Sequence, residues 1–200
     1  MTYHDPAKLK IVNRKLTNAP KDRSYLPYKA DEDGVPPMAI FGDGHRWITT
    51  GVVHNETGRP FTQNPKVKED LIMRLHAKIT DKAEIEHHEE FMCEDAEFII
   101  VTAGLVSRSV KAAVKKLREQ GIKVGMFRLI TVWPFPEKEL IKAAEGNKGL
   151  MTVEMNGGQI YEVVRAMAGQ DRKVVKLAKF DGNLITAETV MAVCREAMEK

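Results

Sequence analysis

From Glu97 onward, short apolar runs alternate with stretches whose apolar residues recur every three or four positions. Phe98-Ile99-Ile100-Val101-Thr102 reads as a buried strand that stops at Ala103-Gly104. Ser107 to Gln120 follows with helical spacing, with Val110, Val114 and Leu117 on one face and Gly121 as its stop. A second strand is predicted over Val124 to Val132. The corner Trp133-Pro134-Phe135-Pro136 closes it, because proline lacks the N–H that a ladder needs. Glu137 and Glu139 put acidic side chains at the positive start of a helix running to Glu145, with Gly146-Asn147 beyond it. Leu150 to Glu154 predicts a third strand, Gln159 to Ala168 a third helix and Val174 to Phe180 a fourth strand. Thr186 caps a last helix that ends near Lys200. Such alternation with short connections specifies an α/β domain over residues 95–200: three layers, with a mainly parallel sheet covered on both faces.

The first third of the chain has no such period. Pro20, Pro27, Pro36, Pro37, Pro60 and Pro65 interrupt it, and glycines at 34, 42, 44, 51 and 58 add turns. With few apolar residues and many breakers, residues 1–64 are expected to run as an extended arm along another surface. Pro65 to Met92 then reads as a helix with Val67, Leu71, Leu75 and Ile79 on one stripe, and Thr80-Asp81 offers a break. The expected division is therefore an arm (1–64), a helical linker (65–94) and the α/β domain (95–200).

Composition narrows the classes. Lys and Arg number 31 against 28 Asp and Glu, and no basic block or basic–aromatic alternation suggests nucleic acid. The apolar runs are far too short for a membrane span and no signal peptide precedes Asp5, so a cytoplasmic protein is expected. Cys93 and Cys194 are the two cysteines, with no CxxC. A disulfide framework, a zinc ribbon or an iron–sulfur cluster held by this chain alone is excluded.

Candidate chemistry sits in a few places. Arg46, Thr50 and His54, with Thr49 and Arg59 nearby, suit a small organic acid: arginine grips a carboxylate through two hydrogen bonds, and a hydroxyl or imidazole orients an oxo group. The same groups equally serve to tie an irregular arm to its neighbour, and on the residues alone that role carries more weight. Glu154, Asn156 and Gln159 flank the glycines of Glu154-Met155-Asn156-Gly157-Gly158-Gln159, between the third strand and third helix. Strand ends and helix N–H groups there can hold a ligand or a partner, or Asn156 can simply cap the helix. Glu84 and His88 could pair as metal ligands at i, i+4 on a helix, beside His87, Glu89 and Glu90, but no second histidine gives the HExxH spacing. Gly42-Asp43-Gly44 is read as a turn, not as the start of a diphosphate-binding motif.

Taken in order, VPPMAIFGDGHRWITTGVVHNETGRP, EDAEFIIVTAG, GIKVGMFRLITVWPFP and VEMNGGQI resemble the latter part of the alpha subunit of 2-oxoacid:ferredoxin oxidoreductases, closest to the 2-oxoglutarate type. The resemblance implies that residues 95–200 form that family's transketolase C-terminal-like domain. The arm would join it to a thiamin pyrimidine-binding domain absent from this chain. It implies CoA-dependent oxidative decarboxylation of a 2-oxoacid to acyl-CoA, with electrons passed to ferredoxin. Thiamin diphosphate, Mg and an iron–sulfur cluster would belong to the assembled enzyme, with none bound by this chain alone. A beta subunit would carry the diphosphate site and cluster, and a separate chain could supply the pyrimidine-binding domain. The alternative is a non-catalytic binding or oligomerisation module on the same fold.

Overall fold

The computed structural model of the chain describes residues 5–82, 85–169 and 171–199, and it divides into two compact units at Glu84/Ile85. The first unit holds little regular structure. Its segments are joined by a parallel bridge between Leu16 and Met38 and an antiparallel one between His54 and Pro60. Turns are closed by side chains that accept from the backbone two residues on: Asp22 from Ser24, Asp33 from Val35, Asp43 from His45 and Asn55 from Thr57. Tyr25 is the main anchor. Its hydroxyl donates to the Pro37 carbonyl at 2.9 Å and accepts from the Ala39 N–H at 3.0 Å, and its ring meets His45 and Trp47 edge-on. Gly58 is equally fixed: its φ is +80°, and a Cβ there would run into the Ile48 carbonyl oxygen.

Helix α1 (Pro65–Ala77) starts where the sequence places it, with Pro65 at the first position and the Asn64 side chain accepting from the Val67 N–H at 3.1 Å. It does not run to Met92. Past Ala77 comes one π turn, Lys78–Lys82, where the Thr80 hydroxyl bonds both the His76 carbonyl and Asp81. Residues predicted as helix then form an edge strand, β1 (His88–Phe91). Tertiary pairing overrides the helical spacing here. The β1 strand runs antiparallel to β3 (Val124–Leu129), His88 stacks on Phe127 at 4.6 Å, and Glu89 lies between Lys111 and Arg128 at 2.6 and 3.0 Å. The helical linker of 65–94 is thus corrected to a helix ending at Ala77 and a strand that belongs to the α/β unit.

In residues 85–199 the strand order is β1-β3-β2-β4-β5, with β2 (Phe98–Ala103), β4 (Gly149–Glu154) and β5 (Lys173–Ala178). Every pair but β1–β3 is parallel. Helices α2 (Ser107–Glu119) and α5 (Ala187–Glu199) cover one face. Here Phe98, Ile100, Met126, Met151 and Val153 pack against Val110, Val114, Leu117, Val190 and Cys194. Helices α3 (Glu137–Ala143) and α4 (Gln159–Ala168) cover the other, where Ile99, Val101, Phe127, Leu129 and Leu150 meet Leu140, Ile160, Val164 and Cys93. Alternate residues of β2 feed opposite cores, which is why the strand reads as one unbroken apolar run. Gly125 allows β1 to approach, since a Cβ there would lie 2.7 Å from the Met92 carbonyl. The three-layer α/β architecture and its mainly parallel sheet agree with the sequence.

Candidate functional site

The connections leaving β2 and β4, adjacent in the sheet, turn to opposite faces: α2 to one, α4 to the other. This is the topological switch point, and its crevice lies between Gly104-Leu105 and Met155-Asn156-Gly157-Gly158. The predicted residues Glu154, Asn156 and Gln159 stand at this point. Glu154 is 2% exposed, and its two carboxylate oxygens accept the N–H groups of Ile160 (2.9 Å) and Tyr161 (2.7 Å). A carboxylate there satisfies two of the unpaired donors at the start of α4 and matches its positive end. Asn156 Oδ1 accepts from Gly158 at 2.8 Å and from Gln159 at 3.4 Å. Both acceptors are therefore spent on building the corner, and the exposed Gln159 side chain is what remains for a partner.

The remaining carboxyl-edge connections carry the large apolar groups. Leu105 follows β2, Ile130, Val132 and Trp133 follow β3, and Phe180 and Leu184 follow β5, all exposed. Phe135 packs partly into the core beside α3 and Pro136 is buried, whereas Trp133, joined to Pro134 by a cis peptide bond, stands out at 72% exposure. The corner was legible in sequence, but which of its aromatics faces inward was not.

In the first unit, Thr50 and His54 come together around a residue that sequence reasoning missed, Tyr28. Its hydroxyl accepts the Thr50 N–H at 3.2 Å, and its ring lies 3.9 Å from the His54 ring. His54 Nδ1 sits 2.7 Å from the Val52 carbonyl. A carbonyl only accepts, so Nδ1 carries the proton and the neutral ring offers Nε2 as an acceptor. That Nε2 is buried and has no hydrogen-bond partner among the described residues. Tyr28, His54, Asn55, Val67, Asp70 and Arg74 line a cleft of about 360 Å³. Arg46 does not join them; its side chain is exposed. No sequence signal tied Tyr28 to residues more than twenty positions on.

Two other sequence candidates resolve. The Asp43 turn is a turn: its carboxylate takes the His45 N–H at 3.0 Å and the His45 Nδ1 at 2.8 Å. The backbone N–H and then the imidazole of His45 pull the Asp43 carboxyl down to about 2. In return, Asp43 and the Ala19 carbonyl raise His45, since both ring nitrogens face acceptors. Glu84 lies outside the described residues. His88 is on a strand rather than a helix, with Nε2 3.3 Å from Glu90. Among the described residues no group of three or more His, Cys, Asp or Glu is arranged to hold a metal ion.

Residues 96–190 match the family described as pyruvate:ferredoxin oxidoreductase core domain II. The chain is 41% identical over 188 residues to 2-oxoglutarate synthase subunit KorA of Methanothermobacter thermautotrophicus, covering 93% of this chain and 50% of that protein. It is also 41% identical over 109 residues to ketoisovalerate oxidoreductase subunit VorB of Methanothermobacter marburgensis, covering 54% of this chain and 31% of that one. Its fold superposes with a TM-score of 0.81, at 26% identity, on 2-oxoglutarate:ferredoxin oxidoreductase from Magnetococcus marinus. That structure was solved with 2-oxoglutarate, coenzyme A and succinyl-CoA bound, and the match covers 98% of this chain and 34% of that one. The chain spans about half the length of the curated relatives it matches. Sequence and fold are thus similar to those of 2-oxoacid:ferredoxin oxidoreductase subunits along nearly the whole of this chain.

Proposed function

We propose that this chain forms part of a cytoplasmic 2-oxoacid:ferredoxin oxidoreductase that decarboxylates a 2-oxoacid, with 2-oxoglutarate the favoured substrate, and delivers the acyl group to coenzyme A and electrons to ferredoxin. The observation that carries this reading is the 41% identity to a 2-oxoglutarate synthase subunit across 93% of the chain. Among the described residues no helix is long and apolar enough to cross a membrane.

In such an enzyme thiamin diphosphate supplies the carbanion chemistry and iron–sulfur clusters take the electrons. The residues of this chain do not fit either group. Cys93 and Cys194 lie in cores on opposite faces of the sheet, where burial pushes their thiols up to about 11 and about 12, and a cluster ligand must be a thiolate. Asp43 is engaged by its own turn. Both groups then belong to partner chains, a beta subunit first among them. What this chain contributes is wall and assembly.

On this reading Thr50 and His54 border the acid's pocket, and Arg46, which stands apart from them on the surface of this chain, reaches it once the partner subunits are in place. Arg46, exposed and without a hydrogen-bond partner among the described residues, is the group to pair with the substrate carboxylate. His54 can meet an oxo group only as the doubly protonated ring, because Nδ1 already donates to Val52. Arg46→Ala in enzyme reconstituted with its partner subunits is expected to raise KM for 2-oxoglutarate by about tenfold or more, from loss of a charged hydrogen bond. KM for coenzyme A should stay unchanged. Equal KM values for the acid in an intact assembly would return the cluster to a structural role.

A further inference from the structure

The four connections at the carboxyl edge of the parallel strands are 104–106, 130–136, 155–158 and 179–186. Lys179 and Asp181 are the charged residues among them, and they pair with each other at 3.3 Å. The same connections hold Leu105, Ile130, Val132, Trp133, Phe180 and Leu184, with Trp133 72% and Phe180 79% exposed. Strand spacing places them along a row spanning about 15 Å. Together they leave on the order of 600 Å² of side-chain surface in water, taking roughly 150–250 Å² per full aromatic residue. That is at or above the largest apolar patch on an ordinary monomer, and it approaches the roughly 800 Å² per partner of a standard interface. Depletion of charge with enrichment of aromatics is the composition of an interface core.

We propose that this edge is a docking surface for a protein domain, and that its occupant is the portion of the oxidoreductase polypeptide that the relatives carry outside the matched half. Two observations single out that occupant. The relatives hold as much chain again as the match covers, and the solved structure about twice as much again, so a large body of protein accompanies this fold in them. The edge also offers no unpaired charge of its own within the four connections, which suits an apolar protein face and disfavours nucleic acid. Trp133 and Phe180, at the β3 and β5 ends of the row, are the anchors, with Leu105 between them at the switch point. The choice of occupant rests on the proposed function; the surface itself does not.

The test uses the full 200-residue chain, co-expressed with the part of the Methanothermobacter thermautotrophicus KorA polypeptide that lies outside the match, produced as a chain of its own. Co-purification in equal amounts is expected. In a Trp47→Phe background, iodide quenching of the remaining Trp133 should fall severalfold in the complex. Trp133→Ser and Phe180→Ser should each weaken binding at least tenfold while leaving thermal unfolding unchanged, as both side chains are already in water. Phe41→Ser, an equally exposed change in the first unit, should leave binding intact. Failure to co-purify, or binding that both serine variants retain, overturns the proposal. So does a wild-type homodimer that Trp133→Ser dissolves, which assigns the edge to a second copy, or capture by neutral lipid vesicles in place of the protein. A complex that forms through Trp133 yet shows no 2-oxoacid oxidation once all subunits are present would count against the function alone.

Discussion

Residues 5–82 and 85–199 solve the problem of backbone polar groups in opposite ways. In the second region, parallel ladders pair the backbone over long distances and bury Phe98, Ile100, Phe127 and Met151 almost completely. In the first, of residues 5–81 only Tyr25, Gly34, Ala39 and Gly58 are buried, and much of the pairing is between groups two or three positions apart. Short side-chain turns can fix a loop's path without a core, because each closes its own small ring. They cannot hide apolar surface, so Ile11, Val12 and Phe41 remain in water. A segment can thus have a definite path and still be unfinished as a surface.

The sharpest test of this contrast is one substitution made twice. Phe127→Ala removes a fully buried ring from the core under α3 and α4 and is expected to cost 3–5 kcal/mol, about the usual range, in urea unfolding. Phe41→Ala removes a ring 86% exposed and stacked on Trp47 at 5.2 Å, and should change stability by no more than about 0.5 kcal/mol. Comparable losses would mean that the first region has a core of its own.

Next in size is Glu154→Ala, which strands the Ile160 and Tyr161 N–H groups at the start of α4. A cost of about 1–3 kcal/mol is expected, with faster amide exchange at those two residues and little change in β2. Tyr25→Phe probes the other region. It removes a hydroxyl that serves two backbone groups, and should cost about 1 kcal/mol, read as faster exchange at Ala39. If exchange accelerates throughout residues 15–60 instead, the turns depend on one another more than their local bonding implies.

The smallest effect is on pH. His45 is raised in the folded chain, so the stability it brings is complete below its ordinary value of 6.5 and is lost as pH climbs through the folded value. Asp43 is lowered to about 2, so its contribution is present above 3.8 and lost as pH falls toward 2. The turn at 40–45 should therefore be tightest between about pH 4 and 6.5. Nuclear magnetic resonance titration of the His45 ring checks this directly, and an ordinary histidine value would break the pairing.

Much of the α/β unit could be read from the chain because its signals are local and redundant. Val110, Val114 and Leu117 mark the buried face of α2, Gly121 ends it, and Thr186 bonds the Thr189 N–H at the start of α5. Strand β1 was illegible for the opposite reason. His88-Glu89-Glu90-Phe91 offers one apolar residue, and only Phe127, Lys111 and Arg128, all distant in sequence, make it a strand. The candidate sites divide the same way. Arg46, Thr50 and His54 were grouped by their closeness in the chain; Thr50 and His54 do gather, but around Tyr28, which carried no signal, and Arg46 stands apart. Glu154 was correctly set at a strand's carboxyl edge, yet its occupation by α4 depends on a fold that brings the helix start back over that edge.

Each face of the sheet has its own thiol. Cys93 lies among the residues under α3 and α4, where its thiol donates to the Met126 carbonyl at 3.3 Å; Cys194 lies under α2 and α5. Neither thiol ionises readily, so alkylating reagents will find the native protein nearly inert. Modification then reports only moments when one helical layer lifts away, and the two masses of singly tagged peptide tell which layer moved. The protein thus contains a paired chronometer for its own breathing, readable without any engineered label.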